Sequence, residues 1–314
     1  LLLYLEIMEK FDTIIIGSGP AGITAAIYAS RRAMKTLLLG KNVGGQVTWA
    51  TEIENYPGFK SISSFELINK WSDHVSSLGV EMKHEDVFEI QKKDDGFLLT
   101  AHNGEKAEYL AKTIIITMGL SHRLLNVPGE AEFTGKGVSY CANCDGPFFK
   151  TKTVAVIGGG NSALDAAEVM GKLADQVYLI TRDETLRGFE AVIDKVKAKE
   201  NINIIYNADI KEIRGENKVG SIVVINNKSN DEKEIKVDGV FVEIGREART
   251  DLVKNLVAVD ARNQIIVDAE CRTNVPGIFA AGDVTDVPFK QITIAAGQGT
   301  IAALSAYRYL QHNK

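Results

Sequence analysis

The sequence predicts an α/β fold made of two domains of one kind, the second inserted into the first. Three observations predict it. A glycine-rich turn between an apolar strand and a helix occurs twice, at "GSGPAG" (17–22) and "GGGNSA" (158–163). Each copy closes with an apolar strand that runs into glycine, "TIIITMG" (113–119) and "GVFVEIG" (239–245). A further buried-looking run, "GIFAAGD" (277–283), follows the second closure without a glycine-rich turn of its own. The last part of the chain therefore returns to complete the first domain.

The first turn follows the apolar run Ile14–Ile16 and sets Gly17, Gly19 and Gly22 in G-x-G-x-x-G spacing, with Pro20 and Ala21 opening the helix. The first glycine makes the tight turn and the second lets the backbone approach a pyrophosphate. The third lets helix and strand pack closely, and the helix N-terminus faces the phosphates. The second copy follows Val154–Ile157 and keeps the spacing with Gly158, Gly160 and Ala163, with Asn161 and Ser162 between them. Two intact copies predict two dinucleotides, a nicotinamide donor and a flavin that passes electrons onward. The expectation is thus two Rossmann-like dinucleotide-binding domains of three-layer ββα type. One spans 8–118 and 247–314, the other 119–246, with linkers near 119–122 and 245–249. Between strands, "KKDDG", "HNGEK" and "NNKSNDEKE" predict the hairpin turns of β-meanders.

Composition agrees with two ordinary globular units. The chain has 314 residues, 45% apolar and 25% charged, enough for each unit to bury a core. A net charge of −5 without a Lys/Arg block argues against nucleic acid or an anionic membrane as the main partner. Residues 1–7, in "LLLYLEIMEK", read as an N-terminal extension too short to span a bilayer and without the charged start of a targeting signal. Three cysteines in a chain of this length do not make a disulfide scaffold, which predicts a reducing, cytoplasmic compartment.

In such a compartment the pair in "SYCANCDGPF" (139–148) needs a chemical reason. A structural zinc site needs four Cys/His ligands, and there is no second C-x-x-C; Cys271 is solitary and the five histidines show no paired spacing. No metal is expected. A structural disulfide across so tight a loop would stabilise little, because its effect grows with loop length. A redox centre accounts for more: one thiolate attacks, a second resolves, and a neighbouring acid moves the proton. Cys141, Cys144 and Asp145 supply all three.

Taken together and in this order, "GSGPAG", "GGQ" (44–46), "ENYPGF" (54–59), "GVSYCANCDG" (137–146), "GGGNSALDAA" (158–167) and "GIFAAGDV" (277–284) resemble the low-molecular-weight thioredoxin reductases. The resemblance covers essentially the whole chain after residue 8. It implies an FAD site with Gly17, Gly19, Pro20, Ala21 and Gly22 at the pyrophosphate. Gly44, Gly45, Gln46 and Asn55 would lie along the ribityl chain and isoalloxazine, and Gly282 and Asp283 at a ribityl hydroxyl. Lys290, Gln291 and Ile292 would open a helix whose positive end faces the flavin. For the nicotinamide dinucleotide it implies Gly158, Gly160, Asn161, Ser162 and Ala163, with Arg182 and Arg187 toward a 2′-phosphate.

Two departures bear on the nucleotides. Where a dinucleotide fold usually places an acid for the ribose, this chain has Gly40 and Lys41, so adenosine contacts are expected from there and from the region of Val87. In "LITRDETLRG", Thr181 and Asp183 replace members of the family's basic cluster, so NADPH is expected with NADH as the alternative. The resemblance further assigns Cys144 as the sulfur facing the flavin and Cys141 as the one that attacks the protein disulfide. The implied activity is that of a thioredoxin-disulfide reductase, a homodimer passing electrons from NAD(P)H through FAD and the cysteine pair to thioredoxin or a thioredoxin-like protein. The cysteines closely precede the second turn, so disulfide and nicotinamide site share a domain, and the two linkers predict a hinge that presents them in turn. Two alternatives keep the flavin: the same relay with another donor such as ferredoxin, or a non-catalytic flavin-bound redox sensor.

Overall fold

The computed structural model describes residues 8–50 and 52–313; the extension 1–7 lies outside them. The chain divides into two compact units, one running to Ser121 and resuming at Glu247, the other His122–Arg246.

The first unit opens with strand β1 (Lys10–Ile16), helix α1 (Pro20–Arg31) and strand β2 (Thr36–Leu39). Proline at the first helical position suits α1, because its missing N–H would have no intrahelical partner there. Helix α2 (Ser64–Ser77) starts where the Ser63 hydroxyl accepts the Glu66 N–H at 3.1 Å, and it buries Leu67, Trp71 and Val75 along one face. Strand β3 (Glu81–Lys83) precedes a meander of β4 (Asp86–Lys93), β5 (Gly96–His102) and β6 (Lys106–Ile116).

Strand β6 joins the two kinds of sheet. It runs parallel to β1 from Lys10↔Leu110 to Ile16↔Ile116, while its first half pairs antiparallel with β5. The parallel core strands are buried on both faces, which is why they read as unbroken Ile and Leu. Ile15, Leu38 and Ile115 pack under α1 and α2; Ile14, Ile16, Leu37 and Ile114 pack against Ile90, Phe97 and Leu99 of the meander. These faces are the three layers of the ββα arrangement.

The second unit repeats the plan. It contains β7 (Val138–Ser139), the four-residue helix α3 (Ala142–Asp145), β8 (Thr153–Ile157), α4 (Asn161–Leu173), β9 (Gln176–Ile180), α5 (Glu190–Lys197) and β10 (Ile202–Ile205). A meander, β11 (Ala208–Gly215), β12 (Val219–Asn226) and β13 (Glu232–Lys236), leads to β14 (Gly239–Val242). Among the described residues the parallel sheet has the order β7-β14-β8-β9-β10. One face of it packs Val154, Val156 and Phe241 against Leu164, Ala167 and Met170 of α4. The other packs Ala155, Ile157 and Val240 against Ile213, Ile222 and Ile235 of the meander. The three polar stretches named above connect β4 to β5, β5 to β6 and β12 to β13.

The chain then returns to the first unit with β15 (Ile278–Ala280), parallel to the second half of β6, and α6 (Ile292–His312). Helix α6 lies so close to α1 that a Cβ on Gly299 would stand 2.2 Å from the Ala21 carbonyl oxygen. Among the described residues no helix is long and apolar enough to cross a membrane.

Candidate active site

The two glycine-rich turns divide their labour in the same way. A Cβ on Gly17 would lie 2.4 Å from the Thr117 carbonyl oxygen, and one on Gly22 1.8 Å from that of Gly17. The buried Thr117 hydroxyl ties this corner together by donating to the carbonyls of Ile16 and Gly17, at 2.9 and 2.7 Å. Gly19 is different: the nearest atom to a Cβ there is the Gly44 carbonyl oxygen, 3.9 Å away. In the second copy a Cβ on Gly158 would meet the Glu243 carbonyl oxygen at 2.3 Å, whereas Gly160 has nothing within 4 Å. In both copies the first glycine is needed for packing and the second leaves open space before a helix N-terminus. Both spaces fit a pyrophosphate.

Hydrogen bonds gather the other segments of the first unit beside its turn. Gly44 N donates to Ser18 O at 2.8 Å, Gln46 Nε2 to Asp283 Oδ2 at 2.9 Å, and Asn55 Nδ2 to Gln291 Oε1 at 3.3 Å. Gly282 N donates to Gln298 Oε1 on α6 at 2.8 Å. Residues far apart in sequence are thus joined in pairs within the first unit. The helix itself begins at Ile292: Gln291 is its extended N-cap, and Lys290, whose Nζ donates to Thr285 O at 2.6 Å, stands one residue before it. That start is two residues later than the sequence implied, because Lys290 is spent on holding the preceding loop. Burial lowers the Lys290 ammonium from its ordinary value, against the opposing pull of Asp283, Asp260 and Asp286. At the other end, Gly40 lies against Ser18, and Lys41 pairs at 2.8 Å with Asp86, the residue before Val87.

In the second unit the loop after β9 folds back on the nucleotide turn. Arg187 N donates to Gly159 O at 2.7 Å, and Phe189 N to Asn161 Oδ1 at 2.9 Å; Ser162 is exposed beside it. Both arginines already face carboxylates. Arg187 Nε donates to Asp183 Oδ2 at 3.0 Å, and Arg182 Nε lies 3.5 Å from Asp209 Oδ1. Thr181, which stands in place of a basic residue, is 2% exposed and takes the Asp183 N–H on its hydroxyl at 3.3 Å.

Cys141 and Cys144 form a disulfide, S–S 2.08 Å and Cα–Cα 5.3 Å. Cys141 is half-buried at the N-cap of α3 and Cys144 is exposed. Cys144 N donates to Cys141 Sγ at 3.2 Å, a bond that favours thiolate over thiol at Cys141. Asp145 ends α3, and its side chain caps no helix. Its carboxylate instead accepts the Ser139 hydroxyl at 2.6 Å, and the same oxygen of Ser139 accepts the Cys141 N–H at 3.1 Å. Sequence reasoning passed over Ser139; its only signal was a hydroxyl two residues before the first cysteine. It also passed over His122, stacked on Tyr140 with centroids 5.4 Å apart. Burial and then the charge of Arg246 push the His122 imidazole down to about 4, so it is neutral beside the redox segment at neutral pH. Cys271 takes no part. It is buried in the first unit, its thiol pushed up to about 12 by burial and then by Asp268.

Fold and site together define a disulfide oxidoreductase that uses a flavin and a pyridine nucleotide. The sequence model of the pyridine nucleotide-disulphide oxidoreductases matches residues 11–299. Thioredoxin reductase of Treponema pallidum is 39% identical over 302 residues, covering 96% of this chain and 97% of that one. Thioredoxin reductase of Listeria innocua is 40% identical over 306 residues, covering 97% and 95%. The crystal structure of Lactococcus lactis thioredoxin reductase matches with a TM-score of 0.85 and 40% identity, over 96% of this chain and 99% of that one. The chain belongs to the pyridine nucleotide-disulphide oxidoreductase family and, within it, to the low-molecular-weight thioredoxin reductases.

Proposed function

We propose that this chain reduces the disulfide of thioredoxin or a thioredoxin-like protein with electrons from NAD(P)H, by way of FAD and the Cys141–Cys144 pair. The observation that carries the reading is the Cys141–Cys144 disulfide from the N-cap of α3 into its first turn, beside Asp145 and in the same unit as the second nucleotide turn. In this reading FAD belongs to the first unit, on Gly17, Gly19 and Gly22 with Gln46, Asn55 and Asp283, and the nicotinamide dinucleotide to the second. The bound flavin supplies two-electron exchange with both nicotinamide and disulfide.

The chain's own residues do the rest. Once Cys141 and Cys144 are reduced, the Cys141 thiolate attacks one sulfur of the protein disulfide, forming a mixed disulfide and expelling a thiolate. Cys144 then attacks Cys141 Sγ, re-forms the internal disulfide and releases the second thiolate; two protons pass to the product thiols. Asp145, held by Ser139, carries a proton at the cysteine pair. Replacing Asp145 by asparagine is expected to lower thioredoxin turnover by about 10²–10⁴-fold. Ser139→Ala is expected to cost less, about tenfold, since the carboxylate remains but loses its anchor. Reduction of the flavin by NAD(P)H should be unchanged in both, which stopped-flow absorbance checks.

NADPH is the proposed donor, and NADH has specific support as the second reading. A 2′-phosphate must compete with Asp183 and Asp209 for the two arginines, while a ribose diol can be accepted by Asp183 itself. Changing Arg182 and Arg187 to alanine is expected to raise the KM for NADPH about tenfold or more with little effect on NADH, a loss of roughly 1.4 kcal/mol of binding. Equal effects on both nucleotides would assign the arginines to general electrostatics. The reading includes a homodimer in the cytoplasm, and light scattering of the purified protein tests the assembly.

A further inference from the structure

The residue before the first cysteine is held at both ends of its side chain. The Tyr140 hydroxyl donates to Glu130 Oε1 at 3.0 Å, and its ring stacks on His122 with centroids 5.4 Å apart and planes 29° from parallel. Glu130 is 4% exposed, and a carboxylate buried so deeply needs hydrogen bonds. Its Oε1 also accepts the Leu125 N–H at 2.8 Å, and its Oε2 the Asn126 N–H at 2.7 Å. Two backbone bonds therefore fix the carboxyl to which Tyr140 is tied. His122 is the first residue of the second unit, and its neighbour fastens that entry to the closing segment, Arg123 N donating to Gly245 O at 3.0 Å. With Leu125 and Val127, Tyr140 also packs against the core that holds Ile213 and Ile222.

We propose that Tyr140 is a positioning residue of the redox centre: clamped between His122 and Glu130, it keeps Cys141 within reach of Cys144 while the disulfide is open, so that Cys144 rapidly closes a mixed disulfide on Cys141. Ser139 belongs to β7, where it pairs with Phe241 of β14, and Cys141 is the N-cap of α3. Tyr140 is thus the link between sheet and helix. A four-residue helix has little stability of its own, so the place of Cys141 depends on what holds this link. In the oxidised state the disulfide ties positions 141 and 144. Once it opens, Asp145 N on Cys141 O at 3.1 Å and Cys144 N on Cys141 Sγ at 3.2 Å hold the cysteine to its own helix. Ser139, through its bond from Cys141 N, and the Tyr140 clamp hold it to the rest of the unit.

The step that the clamp serves is an exchange among three sulfurs. The Cys144 thiolate attacks Cys141 Sγ and a bond forms between the two. The bond from Cys141 to the partner sulfur breaks, and the partner leaves as a thiolate that takes up a proton from solvent. The rate depends on how often Cys141 Sγ lies in the line of attack, and a misplacement of about 1 Å can cost about a hundredfold. The same proximity enters the equilibrium. Holding Cys141 near Cys144 raises the effective concentration of one thiol at the other and favours the internal disulfide over the dithiol.

The inference rests on the cysteine pair as the reacting group, so its test uses glutathione in place of nucleotide and thioredoxin. Flavin-loaded parent, Tyr140→Phe, His122→Ala and Tyr140→Ala proteins would be equilibrated without oxygen in graded mixtures of reduced and oxidised glutathione and quenched with acid. Mass spectrometry then counts dithiol, internal disulfide and glutathione adduct. Tyr140→Phe loses the bond to Glu130 and keeps the ring, while His122→Ala removes the stacking partner; each should shift the couple about threefold toward the dithiol. Tyr140→Ala loses both contacts and should shift it about tenfold, with the glutathione adduct on Cys141 rising in step. A residue that merely stabilised the fold, equally in both redox states, would lower the melting temperature and leave these ratios unmoved. Ratios in Tyr140→Phe and His122→Ala that both overlay the parent overturn the proposal, whether or not Tyr140→Ala folds. Failure of the parent to reduce thioredoxin would strike the proposed function instead and leave the glutathione ratios to decide the role of Tyr140.

Discussion

With Cys141 and Cys144 both changed to serine, thioredoxin reduction is expected to fall at least about 10³-fold, to background, while NAD(P)H still bleaches the flavin at the parent rate. The two halves separate because the groups are separate. The serines leave the open spaces before Gly19 and Gly160 and the loop on Arg187 untouched. What they remove is the chemistry of exchange: a serine hydroxyl is far less acidic than a thiol and forms no disulfide. The hydrogen bond from Cys144 N, which favours a thiolate at Cys141, then has only a neutral hydroxyl to serve. Stopped-flow absorbance of the flavin and a thioredoxin-coupled assay on the same preparation check both halves. A double serine variant that reduced thioredoxin normally would show that electrons leave by another route.

Replacing Gly19 by leucine is expected to yield a folded but colourless protein. The structure makes this sharper than the motif does. Because a Cβ at Gly19 meets nothing closer than 3.9 Å, the substitution does not overpack the chain, and the side chain enters the space assigned to the pyrophosphate. Gly22→Leu is the informative contrast. There the new side chain collides with the Gly17 carbonyl at 1.8 Å, so the turn itself must move and the melting temperature falls along with flavin content. Absorbance near 450 nm, measured against protein concentration, and thermal melting distinguish loss of ligand from loss of fold. Full flavin content in Gly19→Leu would show that the pyrophosphate lies elsewhere.

The sequence was most informative where a physical requirement leaves few choices of residue. Glycines with no room for a Cβ, at 17, 22 and 158, are visible because no other residue fits there. Buried parallel strands are visible because both faces are apolar, as in "IIIG" and "TLLL". The cysteine pair and its aspartate are visible because their chemistry needs those atoms together. The architecture could therefore be read, including the return of residues after 277 to the first unit. What escaped was the support around these groups. Ser139 acts through hydrogen bonds to Asp145 and Cys141, and no spacing rule marks it. Pairing was hidden for the same reason. The sequence showed Arg182 and Arg187 as cations facing a phosphate, whereas the folded loop already sets each beside an aspartate, Arg187 beside Asp183 and Arg182 beside Asp209 at the start of β11. The start of α6 was read too early because Lys290 looks like a helix opener until its bond to Thr285 is seen.

The most direct test of the account is steady-state oxidation of NADPH and of NADH by the flavin-loaded protein, with and without a thioredoxin. The account predicts oxidation that depends on thioredoxin, with two protein thiols formed for each nucleotide consumed, at a lower KM for whichever nucleotide the Arg182–Arg187 loop admits better. A yellow, folded protein that oxidised neither nucleotide in the presence of thioredoxin, or oxidised them equally fast without forming thiols, would contradict it.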